Sequence, residues 1–269
     1  GAGKNVCVPG LNCYSCPAAS GACPIGAFQA VVGSSRFSFS YYITGFLILL
    51  GIFLGRFICG FLCPFGWFQE LLHKIPSKKF STKKLKFLRY LKYAILLVMV
   101  FLIPAFFVND VGMGDPFFCK YLCPQGVLEG AIPLSIVNSG IRAALGSLFT
   151  WKFSILLALV VLSVLFYRPF CKWLCPLGAF YALLNKVSFF QMIVDKNKCV
   201  SCGKCAKACK MDVDVTKNPD HTECIRCGMC VRACPTDAVK FRYGFCNGKD
   251  NICSGKSLKK QKISNKDKE

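Results

Sequence analysis

The chain has 269 residues, 54% hydrophobic and only 17% charged, with 34 Lys and Arg against 13 Asp and Glu for a formal net charge of +21. A soluble domain of this size carries about a quarter charged residues, so the basic excess points to a membrane surface rather than to nucleic acid. Its 20 cysteines would suit a secreted disulfide scaffold, but such chains are short and lack long apolar runs.

Residues 1–36 begin with Gly rather than Met, as expected of a trimmed, processed or incomplete start, and show no signal peptide. They contain "CVPGLNCYSCPAASGAC", with Cys7, Cys13, Cys16 and Cys23. An uncharged run from Phe37 to Gly55 follows, with Tyr41 and Tyr42 near its start, and is the first expected membrane span. It ends in Arg56 and the pair Cys59/Cys63 within "CGFLCPFG". Residues 74–92 hold Lys74, Lys78, Lys79, Lys83, Lys84, Lys86, Arg89 and Lys92 with no acid. His73, at the edge of this basic stretch, reads as a surface histidine.

The second expected span is Ala94 to Val108 and the third Phe153 to Tyr167, flanked by Trp151, Lys152 and Arg168. Both fall short of the roughly 20 residues a full crossing needs, so their flanks must extend them. Between them, residues 109–150 hold Lys120 and Arg142 against Asp110, Asp115 and Glu129, and a second pair, Cys119/Cys123. There "VLEGAIPLSIVNSGI" is apolar but broken by Gly130 and Pro133, which suits a re-entrant or interfacial segment. The Lys/Arg bias places 74–92 in the cytoplasm and 109–150 outside, hence 1–36 outside and everything after Arg168 inside. A third pair, Cys171/Cys175, follows Arg168, and Leu177 to Val194 is expected to lie as a helix on the cytoplasmic surface.

The strongest signal lies in residues 199–234. Cys199, Cys202, Cys205 and Cys209 form C-x2-C-x2-C-x3-C, and Cys224, Cys227, Cys230 and Cys234 repeat it before Pro235. This is the bacterial two-cluster ferredoxin run, in which the fourth cysteine of each run ligates the other cluster. The expected 4Fe–4S ligand sets are Cys199/Cys202/Cys205/Cys234 and Cys224/Cys227/Cys230/Cys209. Tetrahedral zinc suits isolated C-x-x-C pairs but does not explain three spacings repeated twice. Lys210, not Pro, follows Cys209. The tail "KSLKKQKISNKDKE" cannot bury a core and is expected to be disordered.

Two thiolates cannot hold a 4Fe–4S cube, but two pairs can. Cys59/Cys63 and Cys171/Cys175 both fall at cytoplasmic ends of spans, so they are expected to share one cluster. "ACPIGAFQ", "LCPFGWFQ", "LCPQGVLE" and "LCPLGAFY" share C-P-x-G and alternate outside and inside, which reads as two tandem halves. The outer motifs would then meet too, giving a cluster on Cys119, Cys123, Cys23 and Cys16. Cys7 and Cys13 remain as alternative ligands or a disulfide, and a purely disulfide-knotted N-terminal loop stays open. Cys246 and Cys253 have no ligand spacing. Arg56 and Arg168, each three residues before an inner pair, can balance an anionic cluster and donate to sulfur, or simply anchor the inner face. Glu70 and Glu129 could serve proton transfer or be merely interfacial. No haem, dinucleotide, phosphate-loop or Ser/His/Asp motif is present, so no substrate-converting site is recognisable.

The paired "CGFLCPFG" and "CKWLCPLG" followed by a two-cluster ferredoxin resemble the membrane polyferredoxins of the NapH and NosR type over roughly residues 41–240. That resemblance implies iron–sulfur electron transfer at or through the cytoplasmic membrane, in a family associated with periplasmic nitrate and nitrous-oxide reductases. It also implies a further spanning helix before Gly1. The pair Cys119/Cys123 and the cysteine-rich start depart from the better-known members. The expected fold is a membrane all-α core of two tandem repeats with a small α+β bacterial two-cluster ferredoxin-like domain at the C-terminus. Its expected parts are an extracytoplasmic Cys-rich segment 1–36, a transmembrane domain 37–194, a cytoplasmic ferredoxin-like domain 195–245 and a basic tail 246–269. Four 4Fe–4S clusters would carry electrons across the cytoplasmic membrane, from a cytoplasmic donor such as ferredoxin or a flavoprotein to an extracytoplasmic redox acceptor. No nucleic-acid partner is expected, and a homo-oligomer or larger complex is compatible. A quinol oxidoreductase subunit and a redox-sensing membrane regulator are the alternatives.

Overall fold

A computed structural model describes residues 7–13, 22–33, 41–107, 114–140 and 146–244. Cys16, Cys246, Cys253 and the basic tail lie outside the described residues. In chain order the elements are α1 (Pro24–Gly33), α2 (Tyr41–Leu54), α3 (Phe57–Phe61), α4 (Pro64–His73), α5 (Leu85–Phe106), α6 (Phe118–Leu122), α7 (Gly126–Val137), α8 (Ser147–Leu165), α9 (Pro169–Trp173) and α10 (Pro176–Leu184). Strand β1 (Phe190–Val194), the short helices α11 (Lys204–Ala208) and α12 (Met229–Arg232) and strand β2 (Val239–Tyr243) complete them. The fold is mostly helical, with one antiparallel strand pair in register from Phe190↔Tyr243 to Val194↔Val239.

The C-P-x-G motifs build this architecture locally. Proline has no N–H to leave unpaired in a first helical turn and its φ is already helical, so α1, α4 and α10 each start on the proline of their motif. At α4 and α10 the preceding cysteine becomes the N-cap in extended backbone, with ψ 114° at Cys63 and 112° at Cys175. A thiolate in that position faces the positive end of a helix. Accordingly the Gly178 amide donates to Cys175 Sγ at 3.3 Å.

Among the described residues two helices are long and apolar enough to cross a membrane: α5, with 22 residues, and α8, with 19. At 1.5 Å per residue they are roughly 33 and 28 Å long. They run in opposite senses between the same two groups of cysteine motifs. At the start of α5, Arg89 donates to the Met211 carbonyl (3.0 Å) in the C-terminal module. Its far end packs on α1, where Phe28 meets Phe101 edge-on at 5.1 Å and Gln29 donates to the Met99 carbonyl. At the start of α8, Lys152 donates to the Cys119 carbonyl, and near its end Ser163 faces His73. Only 28% of the apolar window of α5 and 17% of that of α8 are buried. Most of the apolar surface of both helices is left uncovered; Leu97, Phe106, Leu157 and Val161 point outward.

The flank of the second expected span extends it, as its length required: the helix begins at Leu85, where the basic stretch winds from Thr82 as a 3-10 turn straight into it. Several other expectations are corrected. Of the first expected span, α2 covers 14 residues, short of a crossing, while residues 37–40 lie outside those described. Leu177–Val194 is not a surface helix: α10 is buried along Leu177, Ala179, Tyr181 and Ala182, and Phe190–Val194 is a strand that needs β2 as its partner. His73 is buried rather than surface-exposed, with Nδ1 3.3 Å from the Ser163 carbonyl.

Candidate metal centres

The two inner pairs face each other through a reciprocal exchange. Arg168, from the second half, donates to the carbonyls of Cys59 (2.7 Å) and Gly60 (3.1 Å) in the first half. Arg56, from the first half, donates to the carbonyl of Cys171 (3.4 Å) in the second. Both guanidinium groups are buried, at 0% and 2% exposure. The thiols of Cys59, Cys63, Cys171 and Cys175 lie within electrostatic reach of one another. Gln69 ties the two halves again, donating to Cys171 Sγ (3.3 Å) and accepting from the Phe170 amide (3.1 Å).

This environment suits an anionic tetra-thiolate cluster. Burial, reinforced by Cys171 and Cys59, pushes the Cys63 thiol up to about 12, so a bound metal must displace protons to use it. Among the described residues the Nε–H of Arg56 and of Arg168 are buried donors with no acceptor within hydrogen-bond distance, and such donors are rare without one. Sulfide or thiolate sulfur beside Cys59 and Cys171 would satisfy both. Among the described residues no three His, Cys, Asp or Glu converge tightly enough for a single metal ion. A cubane holds its thiolates further apart than one tetrahedral ion does.

In the C-terminal module, Cys199, Cys202, Cys205 and Cys234, the expected first ligand set, line one small open pocket. Cys224, Cys227, Cys230 and Cys209 form the second group, in mutual electrostatic reach. Burial pushes Cys224 up to about 11 and Cys230 up to about 12. The repeat is visible in the backbone: Ser201 and Arg226 (φ 52° and 53°) precede the second cysteine of each run, and Gly203 and Gly228 (φ 70° and 78°) follow it. Left-handed φ at these last two positions is a conformation glycine adopts without steric cost.

The module is held on the helical core by buried charge. Glu223 accepts from Lys92 at 2.5 and 2.7 Å and from Arg56 at 2.8 Å. Arg226 donates to the carbonyls of Leu54 (3.1 Å) and Asn185 (2.8 Å), and Lys172 donates to that of Lys210 (2.9 Å). A Cβ on Gly60, between Cys59 and Cys63, would lie 2.9 Å from the Ile225 carbonyl. The loop carrying Cys224 and Cys227 therefore seats directly on the first inner pair.

Of the outer motifs, Cys23, Cys119 and Cys123 are in mutual electrostatic reach, and Cys13 joins them. Cys7 is buried, with Sγ 3.5 Å from the Ala22 carbonyl. Sequence reasoning missed Lys152, which donates to the Cys119 carbonyl at 2.9 Å but lies 33 residues away and so carries no spacing signal. It missed Gln69, Lys92 and Glu223 for the same reason. Glu70 pairs with Arg168, and Glu129 accepts from the Cys13 amide at 3.0 Å.

The glycines of the inner motifs are not equivalent. A Cβ on Gly66 would sit 3.0 Å from the Cys59 carbonyl and 3.3 Å from Arg168 Nη1, whereas on Gly178 the corresponding contacts are 3.4 Å to the Cys171 carbonyl and 3.6 Å to Arg56 Nη2. Gly66→Ala is expected to cost about 1–3 kcal/mol through overpacking and so to lower the thermal midpoint, and Gly178→Ala to be near neutral. Equal melting of the two variants would refute this asymmetry.

Models of a 4Fe-4S binding domain match the chain at residues 21–42, 39–83, 92–132 and 148–197, and a second 4Fe-4S binding domain at 192–213 and 218–240. An uncharacterized protein of Methanocaldococcus jannaschii is 32% identical over 74% of this chain and 77% of its own length. The methylamine utilization ferredoxin-type protein MauN of Methylorubrum extorquens is 26% identical over 71% of this chain and 56% of its own. The regulatory protein NosR of Pseudomonas aeruginosa is 28% identical over 57% of this chain, which spans only 20% of that protein. No solved structure matches the chain significantly.

Proposed function

The chain belongs to the 4Fe–4S binding polyferredoxins of the NapH/NosR type, and from that premise we propose that it is a membrane-embedded electron conduit with four clusters in file. A 4Fe–4S cluster, when bound, supplies one-electron redox chemistry at a potential set by its surroundings. The chain's own residues supply the order of the sites. Cys199, Cys202, Cys205 and Cys234 hold the first; Cys224, Cys227, Cys230 and Cys209 the second; Cys59, Cys63, Cys171 and Cys175 the third. The outer motifs, around Cys23, Cys119 and Cys123, hold the fourth.

One observation supports this reading: the inner motifs pack against the ferredoxin module on one side and against the N-terminal segment that carries Cys23 on the other. Gly60 meets Ile225 between the second and third sites, and buried Tyr167 lies within electrostatic reach of both Cys227 and Cys171. Between the third and fourth, the Leu11 amide faces the sulfur of Cys63 while the adjacent Asn12 amide faces that of Cys23. Neighbouring Cα atoms are about 3.8 Å apart, so the gap is far shorter than the roughly 30 Å hydrocarbon layer. Tyr181, fully buried and donating to the Pro9 carbonyl at 3.3 Å, lies within reach of Cys59, Cys63, Cys7 and Cys23. The long, outward-facing apolar helices α5 and α8 support the membrane setting, and the basic stretch at the start of α5 supports a cytoplasmic ferredoxin module. Donor and acceptor are then a soluble low-potential reductant on that side and a redox protein on the other.

The test uses sealed proteoliposomes with a reductant on the ferredoxin side and a membrane-impermeant acceptor on the opposite side. Wild-type protein is expected to reduce the acceptor, and the Cys119→Ser/Cys123→Ser variant to lose that activity while its ferredoxin module is still reduced. Wild-type rates in the variant would end the reading.

A further inference from the structure

The outer motifs contribute three cysteines among the described residues, Cys23, Cys119 and Cys123, and a cubane needs a fourth ligand. We propose that Cys13 is that ligand and that Lys152 is the counter-cation of the site; the inference rests on the reading that the outer motifs hold a cluster. The argument comes from comparing C-P-x-G motifs within the molecule. In both inner motifs the position of a Cβ on the motif glycine meets the arginine of the other half, at 3.3 Å on Gly66 and 3.6 Å on Gly178. On Gly126, the glycine of the outer motif at Cys123, that position meets two atoms: Lys152 Nζ at 3.7 Å and Cys13 Sγ at 3.6 Å.

The cation follows the same rule as its inner counterparts. Arg168 donates to the Cys59 carbonyl, Arg56 to that of Cys171 and Lys152 to that of Cys119. Each time the acceptor is the first cysteine of a C-x-x-x-C pair. Lys152 is thus the outer equivalent of the two arginines, supplied by α8 rather than by a residue three places upstream. The Cys13 thiol stands beside it.

The backbone fixes Cys13 there. Its amide donates to Glu129 Oε2 at 3.0 Å, on the helix that follows Cys123. Cys7 is held instead by Ala22, through a bridge and a contact from Sγ to its carbonyl. Cys13 is within electrostatic reach of both Cys119 and Cys123.

The experiment compares full-length wild type, Cys13→Ala, Cys16→Ala, Lys152→Gln and Lys152→Arg, purified anaerobically, by iron content, Mössbauer spectra and EPR-monitored redox titration. Wild type is expected to hold about sixteen iron atoms in four cubanes. Cys13→Ala is expected to fall toward about twelve, with one centre lost or reduced to a three-iron cluster, while the other three signals report an intact fold. Cys16→Ala is expected to keep all four. Lys152→Gln is expected to lower the potential of one centre, because its reduced form carries one more negative charge, and Lys152→Arg to restore it. Four intact centres in Cys13→Ala, or loss of a centre in Cys16→Ala, overturns the ligand assignment. An unshifted potential in Lys152→Gln overturns the role of the lysine. Only three centres in wild type would instead remove the outer cluster itself.

Discussion

Replacing Glu223 by alanine is expected to release the ferredoxin module from the helical core, at a cost of about 3–5 kcal/mol, the range for removing one partner from a buried charge network. Glu223 is 3% exposed, while the Arg56 and Lys92 that contact it are both fully buried. Without the carboxylate, two cations remain in a space that water does not reach. Limited proteolysis between α10 and β1, together with a thermal melt, measures the effect. The variant is expected to be cleaved faster and to melt earlier, whereas equal cleavage and melting would show that the triad does not hold the module. Glu223→Gln keeps the shape but not the charge, and is expected to behave like alanine if charge is the decisive element.

The same triad sets a pH dependence. Burial opposes ionisation of Glu223, but Arg56 and Lys92 outweigh it and hold the carboxyl down at about 2. An unfolded glutamate titrates near about 4.3. A depressed carboxyl contributes stability that is complete above the unfolded value and fades as pH falls through the folded one. Attachment of the module is therefore expected to be flat around neutrality and to weaken only below about pH 4, measured on the metal-free chain.

How much of this was legible in the sequence differs from site to site, for physical reasons. The two proposed ferredoxin ligand sets were read from spacing, because consecutive short turns around one cubane fix the interval between cysteines. The cavity lined by Cys199, Cys202, Cys205 and Cys234 fits the cross-over of the fourth cysteine. The approach of Cys59/Cys63 to Cys171/Cys175 was legible through the tandem repeat, since the two pairs end the same kind of apolar run and each is followed by the same C-P-x-G turn into a helix. The charges that hold the module were not legible. Lys92 looked like one more membrane-flanking lysine, and Glu223 lies 131 residues from it. The strand Phe190–Val194 was misread as helix because its apolar run continues directly from α10, and only pairing with β2 distinguishes the two. His73 was misread because its partner, the Ser163 carbonyl, belongs to another helix.

The double substitution Arg56→Lys/Arg168→Lys is expected to cost the chain its inner-face cluster even though no charge changes. Arg168 donates through two nitrogens to Cys59 and Gly60 and also pairs with Glu70; Arg56 bridges Glu223, the Thr222 carbonyl and the Cys171 carbonyl. A lysine ammonium is a point donor and cannot span such a fork. Each lost bond from a charged group costs about 1.5–3 kcal/mol, and both losses fall on the contact that brings the two halves together. Arg168 also holds a left-handed backbone, φ 48°, a conformation that costs about 1–3 kcal/mol and persists only where its surroundings enforce it. Loss of the forked guanidinium contacts is therefore expected to relax the loop that carries Cys171. Iron is expected to fall by about four atoms per chain, with the two ferredoxin signals unchanged. Because the two arms are reciprocal, either single variant is expected to show a smaller loss of the same kind. A full iron complement and an unchanged inner-centre potential in the double variant would mean that the arginines merely anchor the membrane face, and that the cysteines meet without them.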